Sequence, residues 1–210
     1  MSEVAAGQNK RGIAPLLAMI AIFAAPVIAA WFFYLNPGYL PAGRTNKGEL
    51  IEPVVPLSSE LRLLDPQGAA FDPAGLAGKW VLVYLTGGEC GDACMEHLIA
   101  IRQIRLALGE SQFSVDRLLI MIDPSAGDLA ARLAGELDGM RVALTDAASG
   151  QTLMDALGEG ALGRIHILDP MGNLMMRYAP EAPAKDTLKD MERLLKASKS
   201  WIKGAQYGHQ

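Results

Sequence analysis

Between Gly12 and Leu35 the chain reads GIAPLLAMIAIFAAPVIAAWFFYL, a stretch with no charged residue. It exceeds the roughly 20 residues that a helix needs to cross the hydrocarbon core of a bilayer. Pro15 and Pro26 would break a short soluble helix, but a membrane helix tolerates them. Trp31, Phe32, Phe33 and Tyr34 form an aromatic belt where such a helix leaves the bilayer. A cleaved signal peptide is the competing reading, since Ile28-Ala29-Ala30 offers small residues. Its apolar region would normally span only about 7 to 15 residues and end in a small-residue cleavage site, not in bulky aromatics, so an anchor is favoured. Lys10 and Arg11 abut the start. The positive-inside rule then predicts residues 1–11 as a cytoplasmic tail and residues 12–35 as a transmembrane anchor in the inner (plasma) membrane. Everything after Leu35 is expected on the periplasmic, extracytoplasmic side, although Arg44 and Lys47 lie on the far side too.

The rest of the 210 residues has room for one ordinary domain, and a hydrophobic fraction of 50% can fill its core. A formal net charge of −4, with no Lys/Arg cluster to follow a phosphate backbone, argues against nucleic acid as a partner. Residues 36–56 (NPGYLPAGRTNKGELIEPVVP) are rich in Pro and Gly without a sustained period and are expected to form a tether with little regular structure. A domain is expected over residues 57–200, with a flexible tail at 201–210. Within it, Leu61 to Leu64 and the turn Asp65-Pro66-Gln67-Gly68 suggest a small hairpin, and Lys79 to Leu85 (KWVLVYL) is a buried strand. Apolar residues from Leu98 to Leu108 recur at near-helical spacing up to a stop at Gly109. Strands follow at 115–122, 141–144, 164–168 and 174–178, and helices at 127–137, 147–157 and 185–198. The order βαβαβαββα implies an α/β fold, a central mixed sheet flanked by helices and finished by an antiparallel hairpin around Asp169-Pro170-Met171-Gly172.

The chain has two cysteines, Cys90 and Cys94, in the segment TGGECGDACME after the strongest strand. Chemistry in open α/β sheets gathers outside the carboxyl ends of strands, and a helix N-terminus stabilises a thiolate. Cys90 is therefore expected to be the more exposed and more acidic thiol. The i, i+4 spacing puts both sulfurs on one helix face, where they could form a disulfide or together bind a soft ion such as Cu(I). Glu89, Asp92 and Glu96 crowd the pair. Their charge disfavours a thiolate and favours a cation, so the local field leans toward metal capture over rapid exchange.

The anchor, the Pro-rich tether, the buried strand, C-x-x-x-C at a helix start and the late D-P-x-G hairpin together resemble the Sco (SenC) family of cytochrome c oxidase assembly proteins, from Leu57 onward. The resemblance implies a thioredoxin-like fold and a role in delivering copper to the dinuclear copper centre of the oxidase, or in keeping its cysteines reduced. It implies Cu(I) as the metal, Cys90 and Cys94 as its ligands, and a respiratory oxidase subunit or its assembly factors as partner. Two positions depart from the family. Gly91 stands where members carry Pro, and Ala161 stands where the third ligand, a His, is expected before Asp169. His166 is the nearest replacement, with His97 behind it and His209 in the tail. Met95 and the group Met171, Met175 and Met176 offer soft thioethers. Leu162-Gly163-Arg164 lacks the cis-proline of redox-active thioredoxins. The leading expectation is Cu(I) handling or specific thiol reduction through Cys90 and Cys94. The alternatives are a general dithiol-disulfide oxidoreductase of exported proteins, with Cys90 attacking and Cys94 resolving, and a non-catalytic docking module.

Overall fold

The structure is a computed structural model that describes residues 13–36, 39, 46–57 and 61–207, without the side chains of 74 and 199–207. The chain divides into two compact units, Met1–Thr45 and Asn46–Gln210. The first holds helix α1 (Ile13–Leu35), long and apolar enough to cross a membrane, with none of its residues buried against protein. Pro26 lies inside it. Lys10, Arg11 and Arg44, on which the expected sidedness turns, fall outside the described residues.

The second unit contains strands β1 (Glu49–Pro56), β2 (Leu63–Leu64) and β3 (Trp80–Thr86), helix α2 (Asp92–Ala107), strand β4 (Val115–Met121), helix α3 (Gly127–Glu136) and strand β5 (Arg141–Thr145). Helix α4 (Ala147–Leu157), strands β6 (Arg164–Leu168) and β7 (Asn173–Arg177) and helix α5 (Ala184–Tyr207) complete it. The strands form one mixed sheet in the order β1-β7-β6-β3-β4-β5-β2. β3, β4 and β5 run parallel, and the other pairings are antiparallel. The α/β, thioredoxin-like expectation is met.

β3 reads WVLVYLT and is buried at every position, as a central parallel strand must be when both faces are covered. Trp80, Leu82 and Tyr84 point to one face, where Leu98, Ile101 and Ile104 of α2, Ala130 and Leu133 of α3 and Met191 and Leu195 of α5 cover them. Val81, Val83 and Leu85 point to the other, under Leu153 and Leu157 of α4 with Ile51 and Val55 of β1. The Asp65 turn forms as expected, with Asp65 Oδ1 accepting the Gln67 and Ala69 N–H groups at 2.9 Å each.

Two expectations need correction. The stretch 36–56 was expected to lack regular structure, but Glu49–Pro56 is an edge strand on β7. Pro53 and Pro56 obscure the strand in the sequence, yet proline is compatible with an edge, where one row of N–H groups has no partner strand. The closing helix also runs on to Tyr207, into the stretch expected to be a flexible tail.

The entry into β1 is held by a buried carboxylate. Asp190 of α5, 2% exposed, accepts the Lys47 N–H at 2.7 Å, the Gly48 N–H at 2.9 Å and the Tyr178 hydroxyl at 3.1 Å. Burial first, and then the Asp190 charge, push the Tyr178 hydroxyl far above its ordinary value, so it stays protonated and donates. Asp190→Ala is expected to cost about 2–4 kcal/mol, because buried donors lose a charged acceptor. Urea denaturation of the full chain in detergent micelles measures this, and a loss below about 0.5 kcal/mol would contradict it.

Candidate dithiol site

The parallel strands β3 and β4 end side by side, and the chain leaves β3 through Gly87, Gly88 and Glu89 into Cys90. Gly91 is the N-cap of α2, in extended conformation and without a side-chain cap, so Cys94 falls in the first turn. Cys90 and Cys94 are joined by a disulfide, their Cα atoms 5.1 Å apart. The expected difference in exposure is present: Cys94 is buried at 7% exposure against the α2 face of the core, while Cys90 is half-buried. Glu89, Asp92 and Glu96 are exposed around the pair. A disulfide carries no thiolate, so this oxidised form offers no sulfur ligand to a metal until it is reduced.

His166 does not join the cysteines. It lies opposite Val83 in the β3–β6 register, and Val83 belongs to the face under α4, whereas Cys94 packs on the opposite face with Leu82 and Tyr84. Side chains alternate along a strand, so the sheet itself separates His166 from the sulfurs. Its Nδ1 lies 3.2 Å from the Arg164 carbonyl, which can only accept, so Nδ1 carries the proton. Nε2 is buried without a hydrogen-bond partner. Burial drives the ring down from 6.5 to about 4, and the Arg177 and Arg164 charges push the same way against the Arg164 hydrogen bond.

His97 is stacked on Tyr84 with ring centroids 5.3 Å apart, and its nitrogens lie 2.6 Å from the Ala93 carbonyl and 2.9 Å from the Pro180 carbonyl. Both nitrogens lie against carbonyl oxygens, of which a neutral ring can donate to one. Met171 is in the β6–β7 turn, which lies at the sheet end where β3 begins, away from the sulfurs. Met176 pairs with Ile167 and Leu50 on β7, the strand next to the edge, Met175 precedes it, and Met95, half-buried on α2, packs against the same core cluster as the cysteines. Ala161, at the expected histidine position, is fully buried, and His209 lies outside the described residues. Among the described residues, no group of three or more His, Cys, Asp and Glu side chains could hold a metal ion.

Two contacts around the dithiol turn had no motif to announce them. The Thr86 hydroxyl donates to the Glu89 carbonyl at 2.8 Å, and the Asp123 carboxylate packs against the backbone of Gly88. Asp123 lies two residues beyond β4 in a D-P-S sequence, and hydrogen bonds from Ser125 hold its carboxyl below the usual range. In the loop before β6, Gly163 has φ of 71° and donates its N–H to the Leu85 carbonyl at 2.8 Å.

A family model described as a transmembrane-like, thioredoxin-like, C-terminal domain matches residues 80–198, from the first residue of β3 into α5. The chain belongs to this family. Solved structures that share the fold of this thioredoxin-like domain include Arabidopsis thaliana ScoI with copper bound, at a TM-score of 0.55 and 14% identity over 64% of this chain and 95% of that one. Yeast Sco1 with copper bound gives 0.52 and 16% over 65% and 90%, and Bradyrhizobium japonicum ScoI with copper bound gives 0.50 and 18% over 63% and 96%. The Sco resemblance read from the motif is therefore matched at the level of fold. No curated protein matches the chain.

His166 links the fold to acid stability. The folded ring takes up a proton only near pH 4, whereas the unfolded ring does so near 6.5. As pH falls the unfolded chain therefore binds the proton first. The His166 contribution is complete above about pH 6.5 and is lost progressively toward pH 4, by about 3 kcal/mol in all. His166→Leu is expected to flatten the fall of the urea midpoint across that window. An equally steep fall in the variant would contradict the assignment.

Proposed function

We propose that this membrane-anchored, thioredoxin-like protein serves respiratory cytochrome c oxidase assembly through the Cys90–Cys94 couple, as a dithiol reductant of partner cysteines outside the cytoplasm. The observation that carries this reading is the disulfide itself, with one half-buried and one buried sulfur at the mouth of a helix. In the reduced protein the Cys90 thiolate attacks a partner disulfide, whose S–S bond breaks and whose departing sulfur takes a proton. The Cys94 thiolate then attacks the mixed disulfide, freeing the second partner thiol and closing Cys90–Cys94, so two electrons and two protons pass to the partner. Lys10 and Arg11 before α1 support a domain on the periplasmic side, where disulfides persist.

A second reading, that the reduced pair carries Cu(I) as cargo, is favoured by the copper bound in the neighbouring Sco structures. Cys90 and Cys94 would be the ligands this chain supplies, since soft thiolates suit Cu(I) and His166 lies across the sheet. The two readings share the thiols and differ in what moves. A general oxidoreductase of exported proteins is disfavoured by Leu162-Gly163-Arg164, which lacks the cis-proline of redox-active thioredoxins.

The full chain in detergent micelles, equilibrated anaerobically with dithiol-disulfide buffers and alkylated, is expected to show a reversible two-electron couple that Cys90→Ser or Cys94→Ser abolishes. A pair that does not exchange would rule out the redox role. Competitive Cu(I) titration of the reduced chain tests the second reading. Any binding is expected to need both cysteines and to survive His166→Ala, and loss of binding in that variant would contradict the placement of His166.

A further inference from the structure

Cys94 is fixed by its place in α2 and by burial, whereas Cys90 precedes the helix and depends on the turn that delivers it. That turn is met at two points, by a hydrogen bond at the first and by a close side-chain contact at the second. Thr86, the last residue of β3, is 7% exposed, and its hydroxyl donates 2.8 Å to the carbonyl of Glu89, the residue just before Cys90. Its own carbonyl accepts the Ile122 N–H at 2.9 Å, so the end of β4 holds Thr86 in place. The second point is Gly88. A Cβ there would lie 2.5 Å from Asp123 Oδ2 and 3.1 Å from the Asp123 Cβ, so the carboxylate occupies the space a side chain would need. Asp123 is itself oriented by the Ser125 N–H, which donates to Oδ1 at 2.8 Å.

We propose that Thr86 is a positioning residue for the Cys90–Cys94 couple: its hydroxyl, with the Asp123 carboxylate packed on Gly88, sets the effective concentration at which the two sulfurs meet in the reduced protein. This rests on the redox reading above. Closing the disulfide removes two electrons and two protons from the thiols. Its equilibrium constant against an external dithiol depends on how often the two sulfurs are in bonding position. Thr86→Val keeps the β-branch and the burial but deletes the donor, so Cys90 samples more positions and closure weakens. Loss of one such hydrogen bond is expected to weaken closure about three- to tenfold. At 29.6 mV per tenfold for a two-electron couple, the potential rises by about 15–30 mV.

The test measures the midpoint potential of the full chain in micelles against dithiothreitol and glutathione buffers at one pH, for wild type, Thr86→Val, Thr86→Ser and Gly88→Ala. Thr86→Val and Gly88→Ala should both shift upward, and Thr86→Ser, which retains the donor, should stay at the wild-type value. A merely structural role would lower the unfolding midpoint and leave the potential where it was. A wild-type couple that exchanges normally, with Thr86→Val unshifted or Thr86→Ser shifted as far as Thr86→Val, overturns the positioning role alone. A wild-type pair that does not exchange at all overturns the redox reading and this inference with it.

Discussion

Burial of β3 on both faces is the constraint on which the rest of the domain depends. A strand buried at every position, and apolar from Trp80 to Leu85, cannot lie at a surface, so it requires a covering layer on each side. α2, α3 and α5 supply one layer, and α4 lies on the other side, where Leu153 and Leu157 cluster with Val81, Val83 and Leu85. Once β3 is central, its parallel pairing with β4 forces a crossover, and α2 must begin close to where β3 ends. The cysteines occupy that junction. The position of the cysteines at this end of the sheet is thus a consequence of how the core is covered, and the turn from Thr86 to Gly91 joins the packed strand to the cysteine pair.

The same constraint explains what could be read in the sequence. Strands β3 to β7 and helices α2 to α5 were legible because each buries a periodic apolar face, and the helix 147–157 matches to the residue. β1 was not, since its prolines and its charged residues hide a strand that only an edge position permits. The pair Cys90 and Cys94 was legible from spacing and from its place after the strongest strand. His166 was misread as a possible partner of the sulfurs because local sequence does not say which face of β6 it takes. Its cross-strand register with Val83 decides that, and the register is a long-range fact. Thr86 and Asp123 were invisible for a related reason: their contacts with Glu89 and Gly88 depend on backbone positions that no side-chain pattern records.

His166 illustrates what a buried ring can do without touching a ligand. It sits neutral beneath α4, donates to the Arg164 carbonyl and leaves Nε2 unpaired in an apolar layer. An unsatisfied buried nitrogen weakens the fold and makes it sensitive to acid. Near the cysteines, Asp123 accepts the Ser125 N–H, and the His97 nitrogens lie against the Ala93 and Pro180 carbonyl oxygens.

The proposed role depends on Cys90 reaching a partner sulfur and on Cys94 resolving the adduct. Expressing the full-length Cys94→Ser chain in its native membrane and recovering mixed disulfides by non-reducing electrophoresis and mass spectrometry tests this directly. The proposal predicts a Cys90-linked adduct with a cysteine-bearing oxidase subunit or assembly factor, absent when Cys90 is also Ser. An adduct pattern unchanged by Cys90→Ser, or adducts spread over exported proteins at large, would contradict it.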